Sequence, residues 1–170
     1  MQKIALAIET TGLAPYSGAR LVEFACIELD DRGEFGRVLH RRVNPEMVLS
    51  TEDEKSLGLT NEELSEQPIF SEVADELAEF IEGSELIMHN APFALGFLDH
   101  EFSLLGKNPV SGICVGVIDI MAMAKELRPE GRYTLEALAG KLTEFLTGPV
   151  GPLRDAIFTA EVYLSLTVAR

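Results

Sequence analysis

Basic residues are scarce in this sequence. Its 170 residues carry 14 Lys and Arg against 28 Asp and Glu, a formal net charge of −14. A protein that grips nucleic acid by bulk electrostatics needs the opposite balance, so that class is excluded, although a small local basic track is not. Long apolar runs are missing too. No stretch approaches the roughly 18–20 residues of a membrane span, so no membrane partner is expected. The opening "MQKIALAIETTG" meets Glu9 too soon to read as a signal peptide. Only two cysteines occur, Cys26 and Cys114, each in an apolar strand-like segment. They read as buried thiols of a cytoplasmic protein rather than as a disulfide or a metal pair. Internal repeats and low-complexity linkers are absent.

What is present has ordinary globular proportions, 46% apolar and 25% charged residues. The length sets one domain, residues 1–170, with room for a sizeable core. The first part is strand-rich: Ile4–Glu9, Leu21–Leu29 and Arg37–Val43 read as an antiparallel meander, with the turn "DDRG" between the last two. Residues 44–67 read as a loop. In "SEQPIFSEVADELAEFIEG" the apolar residues Phe70, Val73, Ala74, Leu77, Phe80 and Ile81 recur at three and four, which predicts a helix. A short strand, "SELIMHN", is followed by a helix over "PFALGFLDHEFSLLG", with Pro92 near its first turn. "GICVGVIDI" reads as a buried strand or its approach, and helices over Met121–Leu127, Thr134–Lys141 and Leu153–Val168 close the chain. A meander followed by strand–helix alternation predicts an α/β fold with a mixed sheet covered by helices.

The end of the first strand carries a chemical signature with a gap in it. Residues two apart on a strand point to one face. An Asp-X-Glu pair at a strand end therefore aims two carboxylates at one point, the arrangement that two-metal phosphodiester chemistry needs. Ala7-Ile8-Glu9 keeps that geometry and one carboxylate.

"IETTG", "ELIMHNAPFALGF" and "RDAIFTAEVYL" occur in that order, and in sequence and separation they resemble the three exonuclease motifs of the DnaQ-like, DEDDh-type 3′–5′ exonucleases. The likeness spans almost the whole chain and is strongest to the proofreading (epsilon) subunits of bacterial DNA polymerase III. It implies a ribonuclease-H-like α/β fold, a five-stranded mixed sheet with helices on both faces, and in the family two Mg²⁺ or Mn²⁺ ions. Carried over by motif position, the family's metal-binding aspartates fall on Ala7 and Ala94, and its general-base histidine falls on Val150. Glu9 and Asp155 remain as residual metal ligands. A family histidine near the substrate falls on Leu57. The resemblance places a nucleotide pocket at Thr10, Thr11, Gly12, Leu57, His89, Asn90 and Phe93.

No residue nearby in sequence substitutes for the missing ones. His40 lies in the meander, His89 fills its own motif position, and His100, Asp99 and Glu101 sit five to seven residues beyond Ala94. Losing a general base typically costs roughly 10²–10⁴ in rate, and losing metal ligands costs more. No cofactor is therefore expected as the sequence stands, beyond one weakly bound divalent ion. Ala7 and Ala94 are what an inactivating substitution would leave. Val150 and Leu57 are not, and four departures together fit natural decay of the site.

Bland readings stand beside these. Glu9 is either a ligand or a solvated acid at a strand end. Asp155 is either a ligand or an acid favoured by the dipole of its helix. Asn90 suits an N-cap, Phe93 suits the core, and Arg37, Arg41 and Arg42 read as a solvated face before a phosphate track. The chain ends at Arg170, close behind the last helix, which predicts no polymerase- or clamp-binding tail. The reading favoured overall is a pseudo-exonuclease that binds a nucleic-acid 3′ end or a replication or repair protein. The alternatives are a residually active metal-dependent exonuclease and a purely structural replication subunit.

Overall fold

A computed structural model of the chain describes residues 1–145 and 150–168; Arg170, on which the expectation about a tail rests, lies outside them. Five strands form one mixed sheet in the order β3-β2-β1-β4-β5. The strands β1 (Lys3–Thr10), β2 (Leu21–Leu29) and β3 (Phe35–Arg42) are antiparallel neighbours, the expected meander. The strands β4 (Glu85–Met88) and β5 (Gly116–Asp119) then add in parallel on the far side of β1. β1 is thus the central strand: its first half, Lys3 to Ala5, pairs with both β2 and β4, and its C-terminal end, Ala7 to Thr10, pairs with β2 alone.

Alternation along β1 builds two cores. Ile4 and Leu6 pack with Phe24, Leu86 and Met88 against α3 (Phe70–Ile81) and α4 (Ala91–Leu104). Ala5, on the opposite face, packs with Leu29 and Ile87 against α5 (Ile120–Leu127), α6 (Leu135–Ala139) and α8 (Pro152–Val168). Ala7, Ala25 and Ile27 share that second face, with Ala156 of α8. Each fully buried Leu, Ile or Phe contributes roughly 1.5–3 kcal/mol, so helices cover both faces because both faces of the strands are apolar. A short helix, α7 (Leu142–Phe145), follows α6.

Three expectations are corrected. Residues 44–67 are not a plain loop but carry α1 (Thr51–Leu57) and α2 (Asn61–Ser65). Both start at strong caps. Ser50 Oγ accepts from the Asp53 N–H at 3.1 Å, and Thr60 and Glu63 form a reciprocal capping box, with Glu63 Oε2 2.8 Å from the Thr60 N–H. β5 is half-exposed rather than buried, because it is the edge strand and Val117 is 37% exposed. Asn90 stands at the N-terminus of α4 but caps nothing: its backbone is left-handed (φ 58°), and no side-chain cap bond forms. The Asp119 carboxylate does that work, accepting from the N–H groups of Asn90 (3.1 Å) and Ala91 (3.2 Å).

Candidate nucleotide and metal site

Two adjoining clefts open at the C-terminal end of β1, separated by Ile8 and Phe93, which line both. The first, of about 290 Å³, is lined by Ala7, His89, Asn90, Ala94, Glu136, Asp155 and Thr159 among others. The second, of about 300 Å³, is lined by Glu9, Thr10, Thr11, Gly12, Asp53, Ser56 and Leu57. Residues far apart in sequence meet here because β1, the N-terminus of α4 and the N-terminus of α8 converge. Every residue that the sequence reading placed in a nucleotide pocket lines one of the two clefts. Val150 lines neither and is 76% exposed.

The turn after β1 is fixed from several sides. Thr10 Oγ1 donates to the Gly12 carbonyl at 2.7 Å. Thr11 exchanges backbone and side-chain bonds with Arg20: its N–H donates to the Arg20 carbonyl (2.8 Å), and its Oγ1 accepts from the Arg20 N–H (2.9 Å). A Cβ at Gly12 would stand 3.1 Å from Ala19 Cβ, so the tight packing of this turn favours glycine there whatever the cleft holds. Phe93 is half-buried and packs on Phe97 with ring centroids 5.1 Å apart. It is a wall between clefts rather than a core residue, which corrects the expectation. His89 Nε2 lies 2.6 Å from the Tyr133 carbonyl, and that contact ties the first cleft to the segment before α6.

The two carboxylates that survive line adjoining clefts, Asp155 the first and Glu9 the second. Burial pushes the Glu9 carboxyl above its ordinary value, and the charges of Asp155 and Glu23 push it further. Burial raises Asp155 as well, with Glu136 adding and Arg154 and His89 opposing. Glu136 and Thr159 escaped the sequence reading. Glu136 arrives through tertiary packing of α6, with no local signal. Thr159 lies four residues after Asp155 on α8, the spacing that shares a helix face; its buried hydroxyl has no hydrogen-bond partner among the described residues.

Glu23 was missed too. It faces Glu9 across the β1–β2 ladder and is buried, with His40 Nε2 2.6 Å and Arg42 Nε 3.8 Å away. Asp99 and Glu101 serve the scaffold instead: Asp99 accepts from the Val110 N–H at 2.8 Å, and Glu101 is clamped by Arg20. The arginines of β3 are engaged by carboxylates, Arg37 by Glu28 and Arg41 by Glu76, which leaves a paired surface rather than a phosphate track.

Two divalent ions require several converging carboxylates. At this strand end Ala7 and Ala94 present methyl groups to the cleft, and among the described residues no group of three or more His, Cys, Asp or Glu is arranged to hold a metal. The donor set does not fit a two-ion centre.

The chain matches the Exonuclease (RNase T) family over residues 4–146. It is 38% identical over its whole length to DNA polymerase III subunit epsilon of Rickettsia prowazekii, covering 76% of that protein, and 36% identical over 98% of its length to that of Escherichia coli, covering 71%. In fold it is similar to the nuclease domain of 3′hExo, a DEDDh family member bound to rAMP (TM-score 0.82, 17% identity, 99% of this chain and 92% of that one). It is also similar to E. coli Exonuclease I in complex with an oligonucleotide (TM-score 0.80, 16% identity, 99% of this chain and 41% of that one). By sequence over its full length, and by a ribonuclease-H-like sheet with helices on both faces, the chain belongs to the DnaQ/epsilon-like 3′–5′ exonuclease family.

Proposed function

We propose that residues 1–170 form one exonuclease-like domain that has lost its catalysis and kept its pocket: a cytoplasmic pseudo-exonuclease that holds a nucleic-acid 3′ end. The observation that carries this reading is the wall of the first cleft. Ala7 and Ala94 stand in it beside Asp155, while the turn Thr10–Gly12, Leu57 and Phe93 still shape the neighbouring cleft. Two methyl groups supply no metal ligand, and Val150, exposed and outside both clefts, takes no proton from water. A replication or repair protein is the partner class that the epsilon relatives favour.

A second reading is one divalent ion held loosely by Glu9 and Asp155, with a residual metal-dependent activity; the position of the two acids in adjoining clefts at the end of β1 supports it. Manganese titration by calorimetry, run beside hydrolysis of a labelled single strand, separates the two. The pseudo-exonuclease shows at most one weak ion and no cleavage. Metal-dependent turnover that Glu9→Ala abolishes would sink it. Failure to bind either a nucleoside monophosphate or a single strand would leave a purely structural subunit as the function.

A further inference from the structure

Several cations of this acidic chain are spent on carboxylates. Arg20 is held by Glu101, Arg37 by Glu28, Arg41 by Glu76, Lys107 by Asp75 and Arg154 by Asp155 and Glu136. The segment between α5 and α6 differs. Arg128 and Arg132 are both exposed, and neither forms an ion pair among the described residues. Together with Tyr133 and Ser165 they line a cavity of about 350 Å³. Lys125 lies over the Tyr133 ring, 5.6 Å from its centroid, and brings a third positive charge to the same rim; Glu130 is the acid that also lines it.

This cavity shares a wall with the first cleft. The ring of Tyr133 faces outward, its hydroxyl donating to the Arg128 carbonyl. Its own carbonyl is 2.6 Å from His89 Nε2 on the cleft side, and the next residues, Thr134, Leu135 and Glu136, line the cleft. A polyanion approaching a chain of net charge −14 is repelled over most of the surface. At Arg128 and Arg132 it meets two guanidinium groups with no carboxylate partner among the described residues, one wall away from where the terminal nucleotide would sit. Arginine suits that role because its planar donors match phosphate oxygens.

We propose that Arg128 and Arg132, with Lys125 and the Tyr133 ring, form a phosphodiester-binding track for the strand leading to the 3′ end in the cleft. The inference rests on the reading of the cleft as a 3′-end pocket, and its recognition is of backbone charge rather than sequence.

The test compares thymidine monophosphate with a fluorescent single strand of thymidines, in EDTA, for the wild-type chain and the double variant Arg128→Gln, Arg132→Gln. Both side chains are exposed, so the variant folds; a melting curve checks it. Monophosphate affinity stays within two-fold. Affinity for the single strand falls at least several-fold. The slope of log K against log salt shrinks by about 1.4, because each phosphate left unneutralised removes about 0.7 from it. Unchanged strand affinity and slope, with the monophosphate still bound, would overturn the track and leave the pocket standing. Strand binding that depends on the arginines while the wild type ignores the monophosphate would remove the pocket and overturn the track as a path to it, leaving a basic patch that binds single strands. Binding of neither overturns both and turns the patch toward an acidic protein surface.

Discussion

Arg20 grips Glu101 through two parallel bonds, Nε to Oε1 at 2.7 Å and Nη2 to Oε2 at 2.9 Å. Glu101 is 1% exposed and also accepts from the Leu21 N–H at 3.2 Å. The pair ties the start of β2 to α4, and through the Thr11–Arg20 bonds it fixes the turn that floors the second cleft. Removing one partner of a buried pair leaves the other as an uncompensated charge, at about 3–5 kcal/mol. Arg20→Ala should therefore lower the urea midpoint strongly, whereas Arg41→Ala, at an exposed pair, should cost no more than about 1 kcal/mol. Equal losses from the two variants would contradict this assignment.

The surviving cleft acids should make the protein less stable as pH rises. Burial holds the Glu9 and Asp155 carboxyls above their ordinary values of 4.5 and 3.8. The folded state therefore binds their protons more tightly than the unfolded chain does. Between each ordinary value and its raised counterpart, stability falls with increasing pH and then levels off. Glu9→Gln removes the charge without changing the shape. It should raise the melting temperature at neutral pH by a few degrees at most, and the gain should shrink toward pH 4.5. Melting curves at several pH values would show it, and a gain that grows in acid would reverse the sign of the argument.

Much of this fold was legible because its signals are local. The near-continuous apolar runs of β1 and β2 and the three–four spacing from Phe70 to Ile81 each report on a single element. The capping signals Ser50…Asp53 and Thr60…Glu63 are equally local, but the helices they start are too short to show an apolar period, so the segment reads as loop. The motif positions Ala7, Ala94 and Asp155 do meet at one cleft. What no local pattern could reveal is pairing across the fold: Glu23 opposite Glu9, Glu136 brought in by α6, and Asp119 rather than Asn90 at the head of α4. Each of these depends on which elements become neighbours.

Asp119 should matter for three backbone groups at once. Its carboxylate accepts from Met121 N–H at 2.9 Å, capping its own helix, while also serving Asn90 and Ala91. Asp119→Ala orphans donors at the starts of both α4 and α5. A lost cap costs about 0.5–2 kcal/mol, and the second helix places the effect at the upper end. Hydrogen exchange should show faster opening at Asn90, Ala91 and Met121 together. Loss of protection at Met121 alone would mean that the bridge to α4 carries no stability.

Refilling the cleft should couple stability to metal. Ala7→Asp, Ala94→Asp and Val150→His together restore the family's acids beside Glu9 and Asp155. Ala94 is only 4% exposed, so its new carboxylate enters a cleft already short of counter-charge. Without metal the clustered acids repel, and the triple variant should melt below the parent. Added Mn²⁺ should recover the loss and more, since a ligand bound only to the folded state stabilises by about 2.7 kcal/mol at a hundred-fold excess over Kd. The parent, with two acids, should gain little. Val150 is exposed and outside both clefts, so the histidine placed there must swing inward to act. Metal binding should therefore return before hydrolysis does. Metal-linked stabilisation with no cleavage would single out that position and Leu57, whereas no metal response at all would mean that the cleft has lost more than its side chains.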